Sequence, residues 1–291
     1  MFVLNADIPL DIEEFRLLRD FIYQYCGLYF AEESKYLLEK RLNKRLTELR
    51  LSSFRDYYFQ LRYGQQREAE LATAIDLLTT NETYFFREEF QLKTFKEEVI
   101  PELVDEKERR GDRILRIWSA GCSSGEEPYT LAMLLLEEPL LRDWTVEIIG
   151  TDICQRVLST AREGLYGQNS FRAMTETYRQ RYFSQVGQKW QIDDRVRSVV
   201  SISHLNLFDT NRVRLLGKMD AIFCRNVIIY FDLDAKRRVI KSLHGSLHPG
   251  GYLLLGHSES LMNISTDFRL RHFANDMLYQ RPDGGVGARK W

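Results

Sequence analysis

No apolar run in the 291-residue chain reaches the ~20 residues needed to span a bilayer. Residues 1–10 lack a basic start followed by a long apolar core, so no secretory signal is expected. Cysteine is scarce: Cys26, Cys122, Cys154 and Cys224 stand far apart, in apolar or strand-end contexts. No two of them have metal-ligand spacing, so reduced thiols in a cytoplasmic protein are expected, with no metal. There is no excess of one charge. With 41 basic and 42 acidic residues the net charge is −1, so attraction of the whole chain to nucleic acid is not indicated. Internal repeats and low-complexity segments are lacking, as is a convincing His–Asp catalytic pair. What remains is an ordinary globular composition, 44% hydrophobic and 29% charged, enough for one large or two medium domains.

The rhythm of the chain divides it. Residues 10–80 read as helices: "PLDIEEFRLLRDFIYQYCG" stops at Gly27, and "AEESKYLLEKRLNKRLTELR" sets Leu38, Leu42, Leu46 and Leu49 on one stripe. From residue 113 short apolar runs alternate with helical stretches: "RILRIWSA", "TVEIIGTD", "MDAIFCRN" and "GYLLLGHS". That alternation predicts a parallel sheet with helices on both faces, and ligands bind beyond the carboxyl ends of such strands. Between about 164 and 203 the alternation breaks, and "YFSQVGQKWQIDDRVRSVVSISHLNL" reads as an inserted antiparallel subdomain. The expected division is a helical domain 1–78, a linker 79–98, a sheet domain 99–281 and a disordered glycine-rich tail 282–291.

The strand ends carry the chemistry. In "SAGCSSGEEPYTLAMLL", Gly121 and Gly125 permit a sharp turn into a helix, the usual cradle of a phosphate. Here Glu126 and Glu127 stand at the helix start and would repel one. Pro128 fits best as the first helical residue, leaving Glu127 at the cap; Ser124 and Glu127 also match a capping box. Asp152, 31 residues after Gly121, suits both hydroxyls of a ribose or the start of the next helix. The loop is G-x-x-x-G, so the dinucleotide fingerprint is absent. A ribose-bearing ligand with positive groups and no phosphate fits best, and S-adenosylmethionine is such a ligand. Asn206 could hold an adenine edge, and Arg225, Asn226 and Tyr230 follow another strand. In the linker "TTNETYFFREEF", Asn81 and Thr83 are candidate caps. Tyr84, Phe85 and Phe86 form an aromatic wall beside Arg87, whose planar fork suits a carboxylate.

Taken together, "NETYFFRE", "IWSAGCSSGEEPYTLAMLL", "GTDI", "SHLNLF", "FCRNVIIYFD" and "GHSES" resemble the CheR family of chemotaxis-receptor methyltransferases. The likeness covers about residues 10–281. It implies an all-α N-terminal domain, then a Rossmann-like S-adenosylmethionine-dependent methyltransferase domain with an inserted antiparallel β-subdomain. It implies methylation of receptor glutamates to methyl esters, with S-adenosylhomocysteine as the other product. By the same likeness Asn81, Thr83 and Arg87 close over the cofactor, Gly121 and Glu127 contact it, and Asp152 holds the ribose. Asn206 and Leu207 meet the adenine, Arg225 and Asn226 complete the pocket, and Arg87 and Tyr230 lie nearest the methyl. Some members carry a Gly-x-Gly loop in the subdomain that docks a receptor peptide; "YFSQVGQKWQIDDRVR" is shorter and lacks it. Lys40, Arg41, Lys44 and Arg45 form a basic patch expected to dock an acidic helical receptor bundle, without stacking aromatics for nucleic acid. His257 is expected to be a structural hydrogen-bonder. A monomer is expected, with no insertion into a membrane. Another carboxylate acceptor, or a non-catalytic cofactor-sensing module, are the alternative readings.

Overall fold

The computed structural model describes residues 7–283, so the predicted tail lies, from residue 284 on, outside the described residues. The N-terminal domain is four helices: α1 (Ile12–Cys26), α2 (Lys35–Glu48), α3 (Phe54–Tyr63) and α4 (Arg67–Leu78). α1 starts in a capping box: Asp11 accepts from the Glu14 N–H at 2.7 Å and Glu14 accepts from the Asp11 N–H at 3.2 Å. It stops at Gly27, whose φ of 76° is the left-handed conformation that ends helices. The apolar stripes of these helices, among them Phe15, Leu18, Leu38, Leu42, Leu46 and Leu61, bury one another in a separate core.

The chain then runs without regular structure, turning at Phe85–Phe86, to α5 (Glu89–Thr94), a π-helical turn (Phe95–Val99) and α6 (Ile100–Arg109). This is one continuous helical run, so a boundary at 98 falls inside it. Pro101 lacks the N–H that an α-helix would bond to residue 97, and the widened turn precedes it.

The second domain is built on β1 (Ile114–Ala120), β2 (Thr145–Asp152), β6 (Val200–His204), β7 (Met219–Cys224) and β8 (Leu247–Leu255), which run parallel. β9 (Arg269–His272) and β10 (Met277–Gln280) add an antiparallel edge, giving the order β6-β2-β1-β7-β8-β10-β9. The connecting helices are α7 (Glu126–Leu136), α8 (Gln155–Glu163), α11 (Thr210–Leu215) and α12 (Leu233–Ser246). β7, at the centre, is buried at every position, as a strand covered on both faces must be.

Between α8 and β6 lies the insert: β3 (Leu165–Tyr166), α9 (Glu176–Tyr182), β4 (Phe183–Val186), β5 (Lys189–Ile192) and α10 (Asp194–Arg197). Its antiparallel sheet has the order β3-β5-β4, with a tight turn at Gly187. The predicted insert reached residue 203, but β6 belongs to the main sheet, parallel to β2. Its alternation, Val-Ser-Ile-Ser-His, reflects an edge position with one covered face, a pattern that looks antiparallel in sequence.

Candidate active site

The carboxyl ends of the parallel strands open on one edge of the sheet. The strand order reverses at β1, which leaves a crevice beside it. That crevice is a cleft of about 440 Å³. The helical domain supplies one wall, through Leu28, Tyr29, Phe30 and Leu37. The linker residues Thr79–Tyr84 and Arg87 complete the lining.

Gly121 follows β1 at φ 84°, and a Cβ there would lie 2.4 Å from the Val227 Cγ2. Only glycine lets these two loops close together. α7 is capped by Gly125, so Pro128 is its third residue and Glu127 is not the cap. Proline is tolerated there because N–H groups of the first turn have no partner within the helix.

The two acids at this helix start part company. Glu126 is buried under the insert, accepting from Ser124 Oγ at 2.7 Å and Ser170 Oγ at 2.9 Å. Burial pushes its pKa up. The expectation that both carboxylates meet the ligand is corrected, because Ser170 of the insert claims Glu126. Glu127 does line the cleft. It accepts from Ser119 Oγ at 2.7 Å and pairs with Arg225 Nε at 2.6 Å. Arg225, its side chain 3% exposed, also lies 3.5 Å from Glu88 and donates to the Arg87 carbonyl at 2.9 Å. One guanidinium against two carboxylates leaves this buried cluster net negative.

Asp152 adds to that field. It is buried, and its oxygens accept from the Ser123 and Cys154 N–H groups at 2.8 and 2.9 Å. Burial raises its pKa. It does not cap α8: Cys154 is the cap residue, and Asp76 of α4 reaches across to accept from Gln155 N and Arg156 N at 2.8 and 3.0 Å. Asn206 lines the cleft beside Leu207, but its amide is engaged at both ends. Nδ2 donates to the Tyr25 carbonyl at 2.7 Å and Oδ1 accepts from Phe208 N at 2.9 Å. These two bonds fix the orientation of the amide and leave its second N–H and second lone pair unused.

The linker differs from its sequence reading in detail. Asn81 and Thr83 line the cleft and cap no helix, since α5 begins at Glu89. Asn81 donates to Thr79 Oγ1 at 3.2 Å, and its carbonyl accepts from Ser123 Oγ at 3.1 Å. Of the three aromatics only Tyr84 stands beside Arg87, 5.7 Å from ring centre to guanidinium. Phe85 packs among Tyr166, Phe171 and Phe183, and Phe86 against Tyr178, so both anchor the linker to the insert. Arg87 lines the cleft and donates to the Glu82 carbonyl at 3.1 Å.

Tyr230 lines the cleft from a short 3₁₀ turn, Ile228–Tyr230. The residue that holds this loop was not singled out from sequence. Glu259 accepts from the N–H groups of Asn226 and Gly256 at 2.8 Å and of Ile229 at 3.2 Å. The only signal was the acid in "GHSES"; neighbouring His257 is exposed and contributes its backbone N–H, to Glu88 at 3.3 Å. Four non-glycine residues around the site have positive φ: Phe86, Glu88, Ser123 and Asn226. Strain of this kind gathers where a loop is held for function.

The basic patch on α2 resolves into two parts. Arg45 forms a fork on buried Glu70, at 3.0 and 2.6 Å, and Arg41 turns to the Leu78 carbonyl and to Thr80 Oγ1. Both serve internal contacts, because long side chains at the edge of an apolar stripe find nearby acceptors. Lys40 and Lys44 remain outward, Lys44 with 86% of its side chain exposed.

Residues 13–79 match the family described as the CheR methyltransferase all-alpha domain, and residues 81–276 match the CheR methyltransferase SAM binding domain. The chain is 39% identical over 286 residues to the chemotaxis protein methyltransferase 2 of Vibrio cholerae, covering 98% of each. It is 36% identical over 286 residues to the chemotaxis protein methyltransferase 1 of Pseudomonas aeruginosa, covering 96% of this chain and 99% of the relative. The site fits the cofactor that this family binds. Asn226 lines the cleft with its Oδ1 buried and without a partner, and the adjacent Arg225 sets one guanidinium against two carboxylates. No helix among the described residues is long and apolar enough to cross a membrane. The chain therefore belongs to the CheR family, S-adenosylmethionine-dependent methyltransferases named for chemotaxis.

Proposed function

We propose that this protein transfers the methyl group of S-adenosylmethionine to glutamate side chains of chemotaxis receptors, forming methyl esters. The observation that carries the reading is Arg87. It lines the cleft, yet its contacts are a carbonyl and the face of Tyr84, leaving its fork available to an incoming carboxylate. The cofactor, when bound, supplies a methyl group made electrophilic by the attached sulfonium.

The chain's own residues do the rest. Asp152 accepts from the ribose hydroxyls, keeping its oxygens oriented through Ser123 and Cys154. Leu207 packs on the adenine while Asn206 shapes the wall. Gly121 allows close approach, Glu127 and Asn226 face the positive end, and Arg225 holds Glu127 in place. Asn81, Thr83 and Arg87 bring the linker over the ligand. Arg87 orients the acceptor carboxylate and Tyr230 packs beside the methyl. No general base is needed, since a glutamate with pKa of about 4.3 is already ionised at neutral pH. Alignment and exclusion of water are the protein's contribution. The test is transfer of labelled methyl from S-adenosylmethionine to membranes containing methyl-accepting receptors. Label should enter the receptor band and leave as methanol in mild base; base-stable label would reject an ester.

Asp152→Asn should weaken S-adenosylhomocysteine binding by roughly 10- to 100-fold, the worth of hydrogen bonds to a charged acceptor. The raised pKa of Asp152 gives the sign with pH. Its contribution to stability is full below the unfolded pKa and is lost as pH rises through the folded one. Binding uses the ionised form, so affinity should fall as pH drops through the raised value. Calorimetry across pH should show that step in the wild type and not in Asp152→Asn.

Receptor docking rests on Lys40 and Lys44. Lys40→Glu with Lys44→Glu should slow receptor methylation about ten-fold at low salt, with the difference shrinking as salt screens it. Unchanged initial rates across the salt series would remove α2 from the docking surface.

A further inference from the structure

The end of α1 touches both ends of the cleft. Gly27 turns left-handed, and a Cβ there would lie 2.2 Å from the Phe208 ring. The Tyr25 carbonyl accepts from Asn206, at the end of the cleft where β6 stops. Tyr29 N donates to the Tyr230 carbonyl at 3.0 Å, and Leu28 bridges to Phe231. The Tyr23 hydroxyl donates to the Asp232 carboxylate at 3.0 Å, and Asp232 caps α12 through Ala235 N at 2.9 Å. Arg238 of α12 closes the circle, lying 4.3 Å over the Phe208 ring and donating to the Phe208 carbonyl at 2.7 Å. One seven-residue segment of the helical domain therefore grips residues 206–208 and 230–232, which follow different strands.

We infer that this segment, Tyr23–Tyr29, is a clamp through which the helical domain sets the position of Tyr230 and of the Asn206 wall, with Tyr23 and Gly27 as positioning residues. The inference rests on the methyl-transfer reading for its effect on rate. None of the side chains of Tyr23, Gly27 or Asp232 reaches the reacting atoms; they act through the loops they hold. A domain that docks a partner and also fixes the methyl end can couple docking to turnover.

Tyr23→Phe removes one hydroxyl and keeps the ring packed on Phe208. It should lower kcat on the order of ten-fold, since small misplacements at a reacting centre are costly, while S-adenosylhomocysteine affinity falls by a smaller factor. Gly27→Ala meets the Phe208 ring and should cost more, on the order of 100-fold, with part regained in the double variant Gly27→Ala, Phe208→Leu. A merely structural role would lower the melting temperature and leave kcat per folded molecule unchanged. Amide exchange supplies a readout independent of activity. Both variants should speed exchange at 205–208 and 229–232 together, and leave 145–150 in β2 unaffected. Wild-type kcat and wild-type exchange at both loops in Tyr23→Phe would overturn the clamp. Absence of methyl transfer in the wild type would instead overturn the proposed reaction, and exchange would still decide the clamp.

Discussion

Arg225→Met should lose about 3–5 kcal/mol of folding stability, the usual cost of stranding buried charge. Arg225 is the cation that Glu127 and Glu88 share, and their side chains are only 12% and 11% exposed. Methionine fills much of the space but leaves both carboxylates without it. A variant that unfolds in urea within about 1 kcal/mol of wild type would show that these acids find other partners or water. Arg225→Met with Glu127→Gln should recover part of the loss, because the amide carries no charge to strand. Binding of S-adenosylhomocysteine should fall in the single variant, since Glu127 loses the contact that aims it.

Arg87→Ala has the opposite profile. Its guanidinium touches the Glu82 carbonyl and the Tyr84 ring, both replaceable by water, so stability should change by less than about 0.5 kcal/mol. Methyl transfer should fall on the order of 100-fold, the cost of losing alignment at a reacting carboxylate. Arg87→Lys keeps the charge without the planar fork and should restore only a fraction. Near-wild-type turnover in Arg87→Ala would remove it from the mechanism. The contrast between these two arginines, one holding the pocket together and one free to act, is visible only in their partners.

The sheet domain was legible because its strands are short, apolar and separated by helical stretches, and each strand end carries a polar residue at the same edge. Asp152 and Asn226 could be placed by that rule, and Gly121 by the sharp turn that follows its strand. Most of what failed shares one cause: partners distant in sequence. Glu126 and Glu127 are adjacent, yet Ser170 takes one and Arg225 the other, across 44 and 98 residues. On a helical wheel Arg41 looks solvent-facing and Arg45 sits near the edge of the leucine stripe, but Leu78 and Glu70 lie in reach once α4 packs on α2. The bond from Asn206 to the Tyr25 carbonyl likewise joins residues 181 positions apart. β6 alternates like an antiparallel strand because an edge strand has one covered face whatever its direction. Glu259 carried no pattern, since holding backbone N–H groups of a loop 30 residues away leaves no local spacing.

The central claim is electrostatic: a loop of nucleotide-binding shape is backed by a net negative cluster, so it takes an adenosine whose tail carries an ammonium and refuses one with phosphates. Calorimetric titration with S-adenosylhomocysteine and, separately, with ADP compares the two on the same adenosine. The account predicts saturable one-to-one heat with the former and none with ADP at the same concentrations. ADP binding as tightly as S-adenosylhomocysteine would contradict it.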